Sequence, residues 1–252
     1  MPRASYFGMR YLIIYGLFGS ALLILVAFTL SRVTNEPVST KDYFSGLPYN
    51  LSNSQTSPDG LWYAVSSGGG AMGVASYEEV SGKETNVFYE MPAPPSIPQD
   101  SHSALALTVE SFHDFHLSAD VRTQSQIREN SQPKSWEVAW IIWHWNDNTH
   151  FNYFLVKTNG AEIGKYDGGS NPYDQIILQS VSHPKAEIGK WMHWEIITQG
   201  DRMSVRVNGD QVFDLNDTSS FQDGKIGLYC EDSISNFANF HVEDLSQKSQ
   251  QN

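Results

Sequence analysis

Beyond residue 57 the chain alternates between short apolar or β-rich runs and breaks at Gly, Asp and Asn. Residues 61–66, 104–109, 115–122, 136–145, 152–157, 161–166, 175–179, 191–198, 203–207, 211–214, 225–229 and 234–242 read as strands. None of this part has the 3.6-residue periodicity and caps of a three-turn amphipathic helix. Asn208-Gly209, between two alternating runs, predicts a hairpin, because Asn-Gly supplies the positive φ of a type I′ turn. Asn159-Gly160 predicts a second hairpin in the same way. A dozen short strands with frequent turns predict an all-β sandwich or barrel. The Pro-rich stretch 91–98 (MPAPPSIP) reads as a loop, and no internal repeat is visible.

The N-terminal pattern is different. Residues 11–31 form an uncharged run of 21 residues, about 31 Å long as a helix and close to a hydrocarbon core. Arg3 and Arg10 precede it and Arg32 follows. The positive charge on the short leading segment predicts that residues 1–10 stay in the cytoplasm. The reading is a single-pass cell-membrane protein with a transmembrane anchor at 11–31 and a flexible stalk at 32–57. An extracytoplasmic sandwich follows at 58–245, then a tail at 246–252. A cleaved signal peptide is the competing reading, but its apolar core is usually about 7–15 residues and ends near an A-x-A site, which is missing here. The glycosylation sequons at Asn50 and Asn216 agree with an external location.

Charge narrows the partners. The formal net charge is −12, and three of the 16 basic residues lie before the first acidic one, Glu36. The remainder therefore sets 13 basic against 28 acidic residues. So negative a surface repels phosphate backbones and excludes nucleic acid as a partner. The single cysteine, Cys230, excludes an internal disulfide and reads as a small buried hydrophobe.

A motif order in the last third is more specific. Gly189-Lys190-Trp191 leads into a short hairpin ending at Asn208-Gly209; Gly224-Lys225-Ile226-Gly227-Leu228 and Phe237-Ala238-Asn239-Phe240 follow. This order resembles concanavalin A-like sandwich domains, especially the 3-keto-disaccharide hydrolase type and related glucanase domains. The resemblance covers about 136–245, with 58–135 as opening strands of the same sandwich. It implies a two-sheet antiparallel jelly roll that binds carbohydrate or hydrolyses a modified disaccharide. A surface protein-interaction module is the third reading, since such folds host unrelated functions.

Laminarinase-type members carry an E-x-D-x-E triple whose period-2 alternation puts three carboxylates on one face. This chain has no such triple; Glu78-Glu79, Glu231-Asp232 and Glu243-Asp244 are adjacent pairs that point to opposite faces. The densest constellation is Trp136 to His150. Strict alternation puts Glu137, Ala139, Ile141, Trp143 and Trp145 on one face, and Val138, Trp140, Ile142 and His144 on the other. Trp143 and Trp145 would then form a flat platform for a sugar ring, with His144, Asp147 and Lys165 as polar groups around it. The competing reading fills the space between sheets with these tryptophans, Trp140 first. For the hydrolase reading, His144, Asp147 and Glu162 would have to converge. Lys165 reads either as a buried-facing site group or as a solvated strand-face charge. Calcium is the metal that acidic loops at 146–148, 166–174 and 231–232 would suit, although no EF-hand or zinc spacing occurs. A nucleophile elbow and a phosphate loop are both missing.

Overall fold

A computed structural model of the chain describes residues 41–44, 46–129, 131–168 and 175–246. The expected cytoplasmic segment 1–10, the anchor 11–31, the first part of the stalk and the tail from 247 lie outside the described residues. Among the described residues no helix is long and apolar enough to cross a membrane.

The described residues form strands β1 (Lys41–Asp42), β2 (Tyr49–Leu51), β3 (Gln55–Thr56), β4 (Trp62–Ser66), β5 (Ala71–Val80) and β6 (Lys83–Met91). Next come β7 (Ser103–Phe112), β8 (Phe115–Gln126), β9 (Ala139–Asp147), β10 (His150–Lys157), β11 (Gly160–Asp167) and β12 (Gln175–Val181). The chain closes with β13 (Met192–Gln199), β14 (Arg202–Val207), β15 (Asp210–Asn216), β16 (Gly224–Glu231) and β17 (Ser233–Asp244). They build two antiparallel sheets. One runs β15-β14-β13-β8-β17-β6-β5-β2, with β1 added to β17; the other runs β12-β11-β10-β9-β16-β7-β4-β3. The expected all-β, two-sheet antiparallel sandwich is therefore present.

Inward-pointing side chains of the two sheets meet in one apolar core. Leu117, Ala119 and Val121 of β8 and Trp194 and Ile196 of β13 face Ile141 and Trp143 of β9 and Phe154 and Val156 of β10. Ring contacts bridge the sheets: Phe154 lies edge-on to Trp194 at 4.8 Å and to Phe213 at 6.0 Å.

Three local readings change. The stalk does not extend to residue 57, because β1, β2 and β3 pair with β17, β5 and β4. The reason is aromatic burial. Tyr43 and Phe44 are buried, Phe44 stacks on Trp62 and Phe88, and the Trp62 indole N–H donates to the Tyr43 carbonyl at 3.0 Å. β5 and β6 escape the alternation pattern because Gly73, Ser76, Glu78 and Glu79 dilute the apolar positions of β5 and the first half of β6, Lys83-Glu84-Thr85-Asn86, is polar. They join through Ser81-Gly82, both at positive φ (53° and 80°), as a primed hairpin turn requires. The expected Asn208-Gly209 turn has the same geometry, with φ of 52° and 87°.

The third change concerns β9. Strict alternation stops at His144, which sits at φ 50°. Across to β16, Ile142 pairs with Gly227 and Trp145 with Lys225. Trp143 and His144 therefore oppose the single residue Ile226, as in a β-bulge. The extra residue reverses the parity of everything after it. Trp143 points into the inter-sheet core at 0% exposure, while Trp145 joins the opposite face with Trp140 and Ile142. The expected Trp143–Trp145 platform is thereby split between two faces. His144 is buried, its Nε2–H donating to the His113 carbonyl at 2.8 Å and its ring edge-on to Phe115.

Two outcomes follow from this packing. Phe44→Ala should cost about 3–5 kcal/mol in denaturant unfolding, the range for truncating a buried aromatic; a residue in a flexible stalk would cost almost nothing. His144 is held below its ordinary pKa of 6.5 by burial, despite the His113 and Phe221 carbonyls and Asp223, which favour its charged form. The unfolded chain then binds the proton more readily. Stability is complete above about pH 6.5 and is lost as pH falls towards the depressed native value. His144→Asn, which tolerates the left-handed backbone, should flatten the stability-against-pH curve below pH 6.5.

Candidate functional site

The outer face of the eight-stranded sheet is apolar as well. Register builds it in two rows. Leu105, Tyr229, Trp140, Leu155 and Glu162 are successive cross-strand partners from β7 to β11. Leu107, Gly227, Ile142, Tyr153 and Gly164 form the neighbouring row. The two glycines let their neighbours lie flat on the sheet. A Cβ at Gly227 would sit 2.6 Å from Ile142 Cγ1, and one at Gly164 would sit 2.4 Å from Tyr153 Oη.

On this floor lies a depression of about 320 Å³. The rings of Trp140, Trp145, Phe151, Tyr166 and Tyr229 line it, with Ser66, Ser103 and Asn148 as polar groups. Trp140 stands edge-on to Tyr229 at 5.4 Å, and Phe151 stacks on Tyr166 at 4.8 Å with planes 26° apart. Burial, reinforced by the nearby Glu231 carboxylate, pushes both tyrosine hydroxyls above their usual pKa. They are neutral donors at physiological pH. Among the described residues no charged side chain lines the depression.

Of the five sequence-predicted site residues, only Trp145 lies in this lining. Trp143 and His144 are core residues. Asp147 is exposed and caps the β9–β10 turn, accepting hydrogen bonds from the Thr149 N–H (2.8 Å), the Thr149 hydroxyl (2.7 Å) and His150 Nδ1 (2.8 Å). Those bonds pull its carboxyl down to about 2. Lys165 is buried, as neither a pocket group nor a solvated charge. Alternation along β11 turns it inward with Ala161 and Ile163, where its ammonium donates to Asp217 Oδ2 at 2.8 Å and Ser219 Oγ at 2.6 Å. Burial opposes ionisation of Asp217, but the bonds from Lys165 and Ser219 outweigh it and lower its pKa. His144, Asp147 and Glu162 do not converge. Glu162 instead accepts from Tyr153 Oη at 3.0 Å and Lys157 Nζ at 2.5 Å.

The residues missed by sequence reading were Phe151, Tyr166 and Tyr229, together with Trp140, which was expected first among the tryptophans between the sheets and lies on the outer face instead. A signal existed: with Cys230 taken as core, alternation turns Tyr229 outward. Glu231 follows on the same face of β16, accepting from the Ser101 hydroxyl at 2.7 Å and from the Tyr229 hydroxyl at 3.4 Å. Burial, with the charges of Asp232 and Glu137, raises its pKa. Behind it lies a buried ion set. Arg128 donates to Glu137 at 2.6 Å, to Asp232, and to the carbonyls of Pro98 (2.8 Å) and Asp100 (3.1 Å). Among the described residues no group of three or more His, Cys, Asp or Glu side chains is arranged to hold a metal ion. The loop 166–174 lies partly outside them.

Two solved structures are similar to this chain. The carbohydrate-binding module CBM66 of Bacillus subtilis superposes with a TM-score of 0.52 at 16% identity, over 73% of this chain and 95% of that one. A Bacillus licheniformis β-glucanase gives 0.47 at 8% identity, over 79% of this chain and 99% of that one. No protein of curated function matches. The fold is the concanavalin A-like sandwich that the motif order implied. Residues 77–243, about two thirds of the chain, match a described domain family, and the chain thereby belongs to the 3-keto-alpha-glucoside-1,2-lyase-like domain family.

Proposed function

We propose that the outer face of the eight-stranded sheet binds a neutral carbohydrate in the depression around Trp140, Trp145 and Tyr229. The observation that carries this reading is the lining itself: five aromatic rings and three uncharged polar side chains, with no charge among them. Sugar rings present apolar C–H faces that gain dispersion energy on aromatic surfaces, and a few hydroxyl and amide groups then set their orientation. A depression of about 320 Å³ is near the small end of ligand sites, roughly 300–1,000 Å³, which suits one sugar residue rather than a long chain. The proposal includes the location read from the sequence: an anchor at residues 11–31 would hold the domain outside the cytoplasm, where glycans are encountered.

A second reading is favoured by Glu231 and the family match. Elimination across C1–C2 of a 3-keto-glucoside removes the C2 proton, which the neighbouring carbonyl acidifies; its electron pair forms the C1–C2 double bond as the C1–O bond to the aglycone breaks, and the departing oxygen takes a proton from water. A carboxylate with a raised pKa, close to the pocket and bonded to Tyr229, has the properties of such a base. Glu231→Gln should then abolish release of the aglycone from a 3-keto-glucoside while leaving its affinity within a few-fold. If the wild-type chain binds sugars without turning over any 3-keto-glucoside, the lyase reading fails and the binding reading stands.

The binding reading is tested by calorimetric titration across a panel of neutral sugars. Trp145→Ala should weaken binding by about 1–3 kcal/mol, as for an aromatic hot spot, with a modest fall in melting temperature. Trp143→Ala should show the reverse: a stability loss of about 3–5 kcal/mol and unchanged affinity in the folded fraction. Unchanged affinity in a folded Trp145→Ala chain would end the proposal.

A further inference from the structure

Among the described residues the two sheets end in four edge strands, and three of them are protected. β3 has two residues and β2 has three. β15 carries Asp210 and Asp214, and Asp214 is held in an ion pair with Arg202 at 2.8 Å. Short length and charge are the usual devices that stop an edge from pairing with another chain. β12 has neither. Its seven residues, Gln-Ile-Ile-Leu-Gln-Ser-Val, contain no charge and no proline. Ile176 is 43% exposed and Ile177 55% exposed, among the most exposed large apolar side chains described.

The two isoleucines flank the edge on opposite sides. Ile176 pairs with Lys165, which points between the sheets, and Ile177 pairs with Gly164 on the outer face. Adjacent strand residues point to opposite faces; the bulge opposite Ile163 and Gly164 inserts Leu178, which packs against the core. One added strand would cover both exposed side chains at once.

We infer that β12 is the self-association edge of this protein, pairing antiparallel with β12 of a second copy about a two-fold axis perpendicular to the sheet. A strand edge is self-complementary in its hydrogen bonds, which is what a two-fold interface needs. Charge selects the same place. Copies with a net charge of −12 repel each other over most of their surface, and β12 is the long edge where no charge meets its own kind. The interface is small, so the dimer is weak and concentration-dependent. Such an axis keeps the outer faces of both sheets on the same side. If the sugar-binding reading is right, the dimer presents two depressions in one direction, a bivalent arrangement whose gain comes from effective concentration.

The test is sedimentation equilibrium of the full chain in a non-ionic detergent over a wide concentration range, with no sugar present. A reversible monomer–dimer equilibrium is expected. Ile177→Lys brings two like charges together at the pair and should raise the dimer dissociation constant at least about ten-fold, with no change in melting temperature. The native chain has one thiol, Cys230, and it is buried. Ile177→Cys should therefore form a covalent dimer under mild oxidation much faster than Gln211→Cys on the protected edge β15. A chain that stays monomeric to about 1 mM, the weak end of specific association, overturns the inference. So does a dimer indifferent to Ile177→Lys, or equal cross-linking from both edges. None of these results bears on the sugar-binding reading, which is measured by titration.

Discussion

A strand has only two faces, and β9 is packed on both. Its inward face contributes Ile141 and Trp143 to the core between the sheets, and its outward face supplies Trp140, Ile142 and Trp145 to the aromatic floor. Without the extra residue at His144, both later tryptophans would fall on one side, and either the core or the floor would lack a ring. The left-handed backbone at that residue is sterically costly. It is supported by the bond to His113 and by Gly224 on β16, where a Cβ would come within 2.5 Å of the His144 carbonyl carbon. The floor, the depression and the core all depend on this one insertion.

A second constraint acts at the end of the same face. Arg128, Glu137 and Asp232 are almost completely buried, one cation against two carboxylates. Taking such groups out of water is costly, and removing one partner costs more than the pair contributes. What the set provides is position. It ties the loop at Pro98 and Asp100, the segment at Glu137 and the start of β17 into one unit. The excess negative charge of this unit adds to burial in keeping Glu231 protonated at higher pH than a surface carboxylate.

Much of the sandwich was legible in the sequence because alternation is a local property. From β7 onwards each strand has apolar residues on at least one parity, and turn residues mark most ends. What escaped had non-local causes. β1 and β2 are too short to show a period and exist because Tyr43 and Phe44 fill a space beside Trp62. The bulge at His144 leaves no mark in composition, so a parity argument carried across it put Trp145 on the same face as Trp143. Lys165 read as a site group or a solvated charge because its partner, Asp217, is 52 residues away in the chain. Only tertiary structure brings that pair together.

β1 has a mechanical consequence. Lys41 and Asp42 lie directly beside Val242 and His241, so the described chain enters and leaves at adjacent points on the nine-stranded sheet. A pull applied between these two ends is borne first by a ladder of two residue pairs. It would peel β1 from β17 like the end of a zip and leave the other sheet unloaded. The aromatic face is therefore insulated from tension carried through the chain ends.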